Sequence, residues 1–280
     1  MSPAVVGPGT PTVEIVAAGN EVLLGDVLDT NSNLLCRLVT ALGGAVTRAV
    51  LVRDDLDAIA AEVRGALGRS PALVFTVGGL GPTADDMTLA GVARGLGVPL
   101  ELHPEAECLV REAYVRFAAA GLVPFAELNE PRRKMARLPR GAEPVSNPVG
   151  GAPGVVLRRD GTTFVSLPGV PEELAAIVEA SLGDVFSGIF RVAHYEERTL
   201  VVDLQDESAI ADILGAVEQA HPEVYVKSRA KKMGPAVTLR ITLSARGDDP
   251  AAVEGLLRPP ADELLAKIAA AGYGVRAEES

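Results

Sequence analysis

The chain has 280 residues and a formal net charge of −11; 48% of its residues are hydrophobic and only 4% are aromatic. The acidic balance disfavours nonspecific nucleic-acid binding as a main role, so nucleic acid is not an expected partner. No apolar run reaches about 18–20 residues and no basic leader precedes one, which predicts a cytoplasmic protein without a membrane span. The two cysteines, Cys36 and Cys108, are predicted to be isolated thiols.

Apolar periodicity predicts alternating strands and helices over the first 187 residues, after a flexible tail rich in proline and glycine at 1–11. The predicted elements are strand 13–17, helix 30–42, strand 45–52, a helix from 54, strand 72–77, a helix from about 85 to 96, a helix from 104, a hairpin of strands 154–159 and 162–167, and a helix from 171 to about 186. Such alternation is typical of a parallel sheet with right-handed crossovers. We therefore predict a three-layer α/β domain at 12–187 with an open, mostly parallel sheet.

The pattern changes after residue 188. It predicts strand 191–204, helix 206–220, strands 224–227 and 237–245, and a helix at 248–271 that is interrupted at Pro259-Pro260. The order β-α-β-β-α indicates a second, smaller α+β domain at 188–280.

The most informative segment is 78–88, a glycine-rich turn that lies between a predicted buried strand and a helix. Free backbone N–H groups and the helix dipole at such a turn favour an anion such as phosphate. Asp85 and Asp86 in the same turn would repel phosphate unless a cation lies between them. The segment therefore indicates a phosphate-containing ligand that a metal could bridge. For Thr83 and Asp86 the alternative is a capping box at the start of the helix.

Three further loops, 19–31, 147–154 and 167–171, lie at or near predicted strand ends, where open parallel sheets bind their ligands. Glu21 directly follows a strand and is favoured as a site residue. Asp29 is either a site residue or the cap of the next helix. The basic segment 132–134 is predicted to be a solvated helix face, or otherwise a contact for a ligand phosphate or a neighbouring subunit.

Several familiar sites are not present in the sequence. There is no Cys/His cluster at zinc spacing and no serine in a nucleophile elbow. The glycine turn matches neither the Walker pattern nor the dinucleotide-binding fingerprint.

Four motifs in this order resemble the N-terminal part of CinA, the competence/damage-inducible protein family within the molybdopterin-binding, MogA/MoaB-like superfamily. They are Gly19-Asn20-Glu21 with Gly25 and Asp29-Thr30-Asn31, Gly78-Gly79-Leu80-Gly81-Pro82-Thr83 with Asp85-Asp86 and Thr88, Asn147-Pro148-Val149-Gly150 with Ala152-Pro153-Gly154, and Leu167-Pro168-Gly169-Val170-Pro171. The resemblance covers about 12–187 and implies a MogA-like fold. The smaller part is similar to the KH-like middle domain of CinA proteins. Their C-terminal amidase domain is expected to be absent here, so its activity is not transferred.

The resemblance implies two chemistries. The favoured one is metal-dependent hydrolysis of ADP-ribose at its pyrophosphate, and the alternative is binding and adenylylation of molybdopterin. For the hydrolase, the resemblance implies a divalent ion (Mg²⁺, Mn²⁺ or Co²⁺) held by Asp85, Asp86 and Asp29, with Asp86, Asp85 and Glu21 as catalytic residues. The implied ligand contacts are Gly78, Gly79, Gly81 and Thr83 for the phosphate, and Asn20, Asn31, Gly150 and Gly169 for the remainder.

A third hypothesis is a non-enzymatic module that binds a nucleotide or RNA. The smaller part has one basic strip, formed by Lys227, Arg229, Lys231, Lys232 and Gly234. Its net acidic charge and the lack of a KH-type Gly-x-x-Gly loop oppose RNA binding. A homo-oligomer, dimer or trimer, is expected.

Overall fold

The computed structural model describes residues 9–190, 194–204, 206–231, 238–247 and 249–278. The chain forms two compact units. The larger consists of Pro11–Val39 and Gly44–Phe190, and the smaller lies mainly in the chain beyond Phe190.

Some predicted features lie outside the described residues. They are residues 1–8 of the tail, residues 191–193 and 237 of two predicted strands, residues 205 and 248, and Lys232 and Gly234 of the basic strip.

The chain up to Phe190 contains eight strands and eight helices within the described residues. They are β1 (Thr12–Ala18), α1 (Asn20–Leu24), α2 (Thr30–Ala41), β2 (Ala45–Val52), α3 (Leu56–Arg69), β3 (Leu73–Val77), α4 (Thr88–Leu96), β4 (Leu100–Leu102), α5 (Pro104–Ala119), α6 (Glu130–Lys134), β5 (Arg137–Pro139), β6 (Glu143–Val145), β7 (Gly154–Arg159), β8 (Thr162–Leu167), α7 (Pro171–Ser181) and α8 (Gly183–Ile189). The short elements α1, β4, β5 and β6 were not predicted, whereas α6 carries the basic segment 132–134, for which a helix face was predicted.

A six-stranded sheet with the order β2-β1-β3-β8-β7-β6 forms the centre of the larger unit. The first four strands are parallel, and β7 and β6 join them in antiparallel fashion. The chain moves outward from β1 to β2 and then returns past β1 to β3, so right-handed crossovers put α2 and α3 on opposite faces. The predicted open, mostly parallel α/β sheet is confirmed.

Helices cover both faces of this sheet. On one face Val16 and Val74 share a buried core with Val63 of α3, Val92 of α4 and Val110 of α5. The opposite face of β3 presents Phe75, whose ring meets Phe186 of α8 edge-on at 6.3 Å between centroids. Burial of these apolar side chains is the main stabilising contribution to the three layers.

The predicted hairpin between β7 and β8 is confirmed. Asp160 and Gly161 have φ values of 47° and 83°. Two residues with positive φ make the turn whose twist suits a tight antiparallel pair. The predicted helix 171–186 is instead two helices, α7 and α8, which meet at the fully buried Leu182.

The smaller unit consists of a four-stranded antiparallel sheet and two α-helices. Its described elements are β9 (His194–Val202), a 3₁₀ turn at Glu207–Ile210, α9 (Ala211–Ala220), β10 (Tyr225–Lys231), β11 (Thr238–Gly247), α10 (Pro250–Ala270) and β12 (Val275–Ala277). The strand order is β10-β11-β9-β12, so β12 extends the predicted β-α-β-β-α unit at one edge.

The prediction that Pro259-Pro260 interrupts the last helix is wrong. Helix α10 continues through both prolines. Its buried residues Val253, Leu257 and Leu264 keep one apolar stripe against the sheet. Packing of this stripe therefore stabilises the helix, although each proline lacks an N–H donor for the helical hydrogen bonds. Among the described residues, no helix is long and apolar enough to cross a bilayer.

Candidate functional site

The four loops singled out in the sequence meet at one edge of the larger sheet. Three of them follow the carboxyl ends of β1, β3 and β8. The fourth, 147–153, precedes β7, which runs antiparallel to β8 and therefore begins at the same edge. This is the edge at which open α/β sheets bind their ligands.

Gly78 is the point at which three strand ends approach each other. Its φ is +89°, and its N–H donates to the Leu167 carbonyl of β8 at 3.0 Å. A Cβ at this position would overlap the carbonyl oxygen of Ala18 at the end of β1. The space at Gly169 is also narrow, since a Cβ there would lie 3.4 Å from the Gly78 Cα. The backbone geometry thus requires glycine at residue 78 independently of any ligand.

The rest of the glycine turn is ordered by its own polar groups. The Thr83 N–H donates to Asp86 Oδ2 at 2.8 Å, and the Thr83 hydroxyl reaches Oδ1 of Asp85 and Oδ2 of Asp86. The hydroxyl lowers the pKa of the exposed Asp85 carboxyl. A Cβ on Gly81 would lie 2.6 Å from Asp86 Oδ2. The carboxylate pair is therefore fixed toward the turn.

The predicted start of the helix near Asp85 is three residues early. Helix α4 begins at Thr88, and Met87 precedes it without a side-chain cap. The Thr83–Asp86 contacts have the form of a capping box, but they close the turn rather than the helix, because residues 83–87 remain outside α4.

The first loop differs from its prediction. Glu21 lies in the first turn of α1, a helix that was not expected. Asp29 accepts the Ser32 N–H at 2.9 Å and so caps α2. The main-chain N–H of Asn20 donates to Asp54 Oδ2 at 2.9 Å, which connects this loop to the end of β2.

Asp54 is a candidate site residue that the sequence did not single out. Burial raises the pKa of its carboxyl, and the charges of Glu21, Asp85 and Asp86 raise it further, whereas the Asn20 N–H opposes the shift. Three carboxylates thus act on a fourth at this edge. The segment that follows β2 contains no glycine-rich motif, so the sequence indicated only that a helix begins there.

Two buried polar atoms beside the turn lack a partner within the described residues: Asn31 Oδ1 and Thr88 Oγ1. The other amide atom of Asn31, Nδ2, donates to the Gly169 carbonyl at 2.7 Å. Thr88 lies against Gly79, where a Cβ would overlap its hydroxyl. Native folds pair nearly all buried polar atoms, so these two are candidates to bond a polar group of a ligand.

Asn147 orders the third loop. Its Oδ1 accepts the N–H groups of Val149 and Gly150, at 3.1 and 2.7 Å. Its Nδ2 donates to the Ala152 carbonyl at 2.8 Å and to the Glu173 carboxylate at 2.7 Å. A Cβ on Gly150 would overlap that carboxylate. A side chain at residue 150 would therefore displace the Glu173 carboxylate from Asn147, whatever the role of Gly150 toward a ligand.

The basic segment 132–134 is not a solvated helix face. Arg132 is buried: its guanidinium donates to the carbonyls of Phe125 and Glu127 and lies 3.8 Å from the Tyr114 ring centroid. Of the three residues, only Arg133 is exposed to solvent as predicted, and it pairs with Glu107 and Glu130.

Lys134 lies at the site, where the sequence offered it only as part of the alternative that the segment 132–134 contacts a ligand phosphate; its contacts are with the glycine turn. Its ammonium donates to the carbonyls of Gly81, Thr83 and Asp86. Burial lowers its pKa, while the charges of Asp86 and Asp85 act in the opposite direction. No local pattern could have identified the turn as its partner, because about fifty residues separate the two.

Carboxylates at this edge are the candidate ligands for a metal ion. In the described part of the chain, no group of three or more His, Cys, Asp or Glu side chains could hold one. Mg²⁺ commonly uses only one or two carboxylates together with ligand phosphates. The Asp85–Asp86 pair fits an ion that arrives with a phosphate ligand, and it does not fit a preformed protein cage.

The fold and the site define a class of α/β proteins with an open, mostly parallel sheet, helices on both faces and a glycine turn at the carboxyl edge. Residues 14–186 match the family described as "Probable molybdopterin binding domain". The chain belongs to this family.

Relatives match most of the chain. It is 35% identical over 258 residues to a protein of Metallosphaera sedula, covering 92% of this chain and 94% of that one. It is 41% identical over 249 residues to a protein of Aeropyrum pernix, covering 88% and 90%. The crystal structure of "the protein CinA with unknown function from Thermoplasma acidophilum" is 35% identical with a TM-score of 0.56, covering 62% of this chain and 98% of that one. The predicted CinA-like, MogA/MoaB-like identity is confirmed.

Proposed function

We propose that the larger unit binds a phosphate-bearing pterin of the molybdopterin type at the carboxyl edge of its sheet. The observation that carries this proposal is the pair of buried polar atoms that have no partner in the described part of the chain, Asn31 Oδ1 and Thr88 Oγ1. The family supports the class of ligand. The proposal therefore favours molybdopterin binding over hydrolysis of ADP-ribose, whereas the resemblance to CinA favoured the hydrolysis.

The ligand's two ends suit different parts of this edge. A phosphate is a strong acceptor and suits backbone N–H groups of the turn near α4, where the helix dipole also favours negative charge. A pterin ring carries an amino group and a ring N–H, and Asn31 Oδ1 is an acceptor to which no donor among the described residues is bonded. Asn20, Gly150 and Gly169 remain predicted contacts for the rest of the ligand.

A second candidate is metal-dependent cleavage of a phosphoanhydride such as that of ADP-ribose. The observation that favours it is the adjacent pair Asp85–Asp86, whose charges act on the Asp54 carboxyl together with that of Glu21. A divalent ion bound with the substrate would neutralise phosphate charge and activate water. Asp86 and Asp85 would hold it, and Glu21 would orient the attacking water. Asp29, which caps α2, is the least suited of the proposed ligands.

The two candidates separate in one experiment. The purified protein is titrated with molybdopterin, and in parallel is incubated with ADP-ribose and Mg²⁺, Mn²⁺ or Co²⁺. Asp86→Asn is compared with Asp160→Asn, a matched change in the β7–β8 hairpin at the opposite edge of the sheet.

We expect one molybdopterin per chain and no turnover of ADP-ribose. Metal-dependent release of AMP and ribose 5-phosphate that Asp86→Asn abolishes and Asp160→Asn retains would support the second candidate instead. If neither ligand binds, both are refuted. A homo-oligomer also remains a prediction, which the mass of the purified protein in solution tests.

A further inference from the structure

The ammonium group of Lys134 binds main-chain carbonyl groups of the glycine turn, as a metal cation could. Its Nζ lies 2.5 Å from the Asp86 carbonyl oxygen and 3.5 Å from that of Gly81, and it also donates to the Thr83 carbonyl. An ammonium has three N–H donors and no acceptor. All three donors are therefore directed at main-chain oxygens of the turn, and none is left for a surface carboxylate.

The position of this ammonium is imposed by its helix. Lys134 ends α6, and the same helix carries the buried Arg132. The Arg132 guanidinium donates to the carbonyls of Phe125 and Glu127 at 2.9 and 2.7 Å and stacks on Tyr114. Asn129 caps the other end of α6 by accepting the Arg132 N–H at 3.1 Å. These contacts hold the five-residue helix α6 in place and therefore fix the position of its last side chain, Lys134.

The ammonium also determines where the turn's N–H groups point. In a trans peptide the carbonyl and the following N–H point in opposite directions. Because the carbonyls of Thr83 and Asp86 face Lys134, the N–H groups of Ala84 and Met87 face away from it. Within the described residues neither of these two N–H groups donates a hydrogen bond. Both are available to an acceptor outside the turn.

We propose that Lys134 is a built-in cation that orients the glycine turn, so that the N–H groups of Ala84 and Met87 form the donor pair for a ligand phosphate or pyrophosphate. Lys134 is a positioning residue, since it contacts the turn and not the ligand. The proposal rests on the proposed function for the presence of a phosphate, whereas the orientation of the turn by Lys134 stands independently of any ligand. The positive charge of Lys134 also offsets part of the negative charge of Asp85 and Asp86, which would otherwise repel an anion at the glycine turn.

The test compares Lys134→Met and Lys134→Arg with Arg133→Met, which removes the neighbouring exposed cation. The first measurement is amide hydrogen exchange by NMR without ligand. It follows the two N–H groups bonded inside the turn, Asp86 to the Thr83 carbonyl at 3.3 Å and Thr88 to the Gly79 carbonyl at 3.1 Å. The second is titration with inorganic pyrophosphate, followed at the Ala84 and Met87 amides. Strand β3 amides report whether each variant is folded.

We expect Lys134→Met to speed exchange at Asp86 and Thr88 by about tenfold or more, the effect of losing a charge-assisted hydrogen bond. Pyrophosphate binding should weaken similarly, Lys134→Arg should recover part of both, and Arg133→Met should match the wild type. Unchanged exchange in Lys134→Met overturns the proposal. So does pyrophosphate binding that is equally tight in Lys134→Met, a result that leaves the proposed function standing. If the wild type binds neither molybdopterin nor pyrophosphate, the proposed function and the donor pair fail together, and the exchange data alone decide the orienting role of Lys134.

Discussion

Replacing Gly78 with alanine tests how closely the strand ends pack around the glycine turn. A non-glycine residue at φ +89° is disfavoured by about 1–2 kcal/mol. The added Cβ would also overlap the Ala18 carbonyl, and a backbone atom cannot escape by changing rotamer. Moving β1 or β8 to make room adds about 1–3 kcal/mol, as overpacking usually does. We expect a total loss of about 2–5 kcal/mol in the free energy of unfolding.

Gly97→Ala is the matched control. Gly97 ends α4 with φ +67°, and nothing lies within 4 Å of a Cβ placed there. Only the backbone term remains, so we expect a loss of about 1 kcal/mol. Urea unfolding of the wild type and both variants, with the slopes compared, measures the difference. Equal losses in the two variants would refute the close packing of the strand ends at Gly78.

Three further predictions concern buried or charged groups near this edge. Asn147→Ala removes four hydrogen bonds at a buried position and should lower the free energy of unfolding by about 2–4 kcal/mol in urea; a loss below about 1 kcal/mol would contradict the account of the third loop. Asp54→Asn should raise the melting temperature at neutral pH. The pKa of Asp54 is raised in the folded protein, so its destabilising effect is absent below the ordinary pKa and develops as the pH rises through the raised one. The gain should therefore vanish near pH 3, and a gain independent of pH would contradict this. Thr76→Val leaves the buried Ser166 hydroxyl without its 2.7 Å partner and should be less stable by about 1–3 kcal/mol, most of which the double variant with Ser166→Ala recovers; full additivity in a double-mutant cycle would exclude the coupling.

Local patterns predicted the elements that position the site. The apolar segment of β3, the Asp160-Gly161 turn and the start of α7 at Pro171 each follow from propensities within a few residues. Because parallel strands present their carboxyl ends at one edge, the convergence of the four loops followed from the same patterns. The resemblance to CinA rested on those loops and is confirmed by the family match together with the likeness to the solved CinA structure.

The contacts that order the site could not be predicted, because they join distant segments. Lys134 and the turn lie about fifty residues apart, and Asn31 and Gly169 are separated by 138. Burial also changes the meaning of a residue type. A run of three basic residues suggests a solvated face, yet Arg132 is buried by Tyr114 and by carbonyls that only the folded chain brings near.

The glycines illustrate a second limit. Gly78, Gly79 and Gly150 were interpreted as places where backbone approaches a ligand. At each of them the structure supplies an internal neighbour that excludes a Cβ. A glycine that the backbone conformation or packing requires and a glycine that contacts a ligand look the same in a sequence. The role of these three glycines toward a ligand therefore remains a prediction.

The most direct test of the proposed site is calorimetric titration of molybdopterin into the wild type, Thr88→Val and Thr162→Val. Both threonines are 1% exposed, but Thr162 donates to the Pro71 carbonyl at 2.8 Å, whereas Thr88 Oγ1 has no partner in the described chain. We predict that Thr162→Val is less stable and binds like the wild type, while Thr88→Val is at least as stable as the wild type and binds about tenfold more weakly. Absence of binding to the wild type, or undiminished binding to Thr88→Val, would contradict the proposed site.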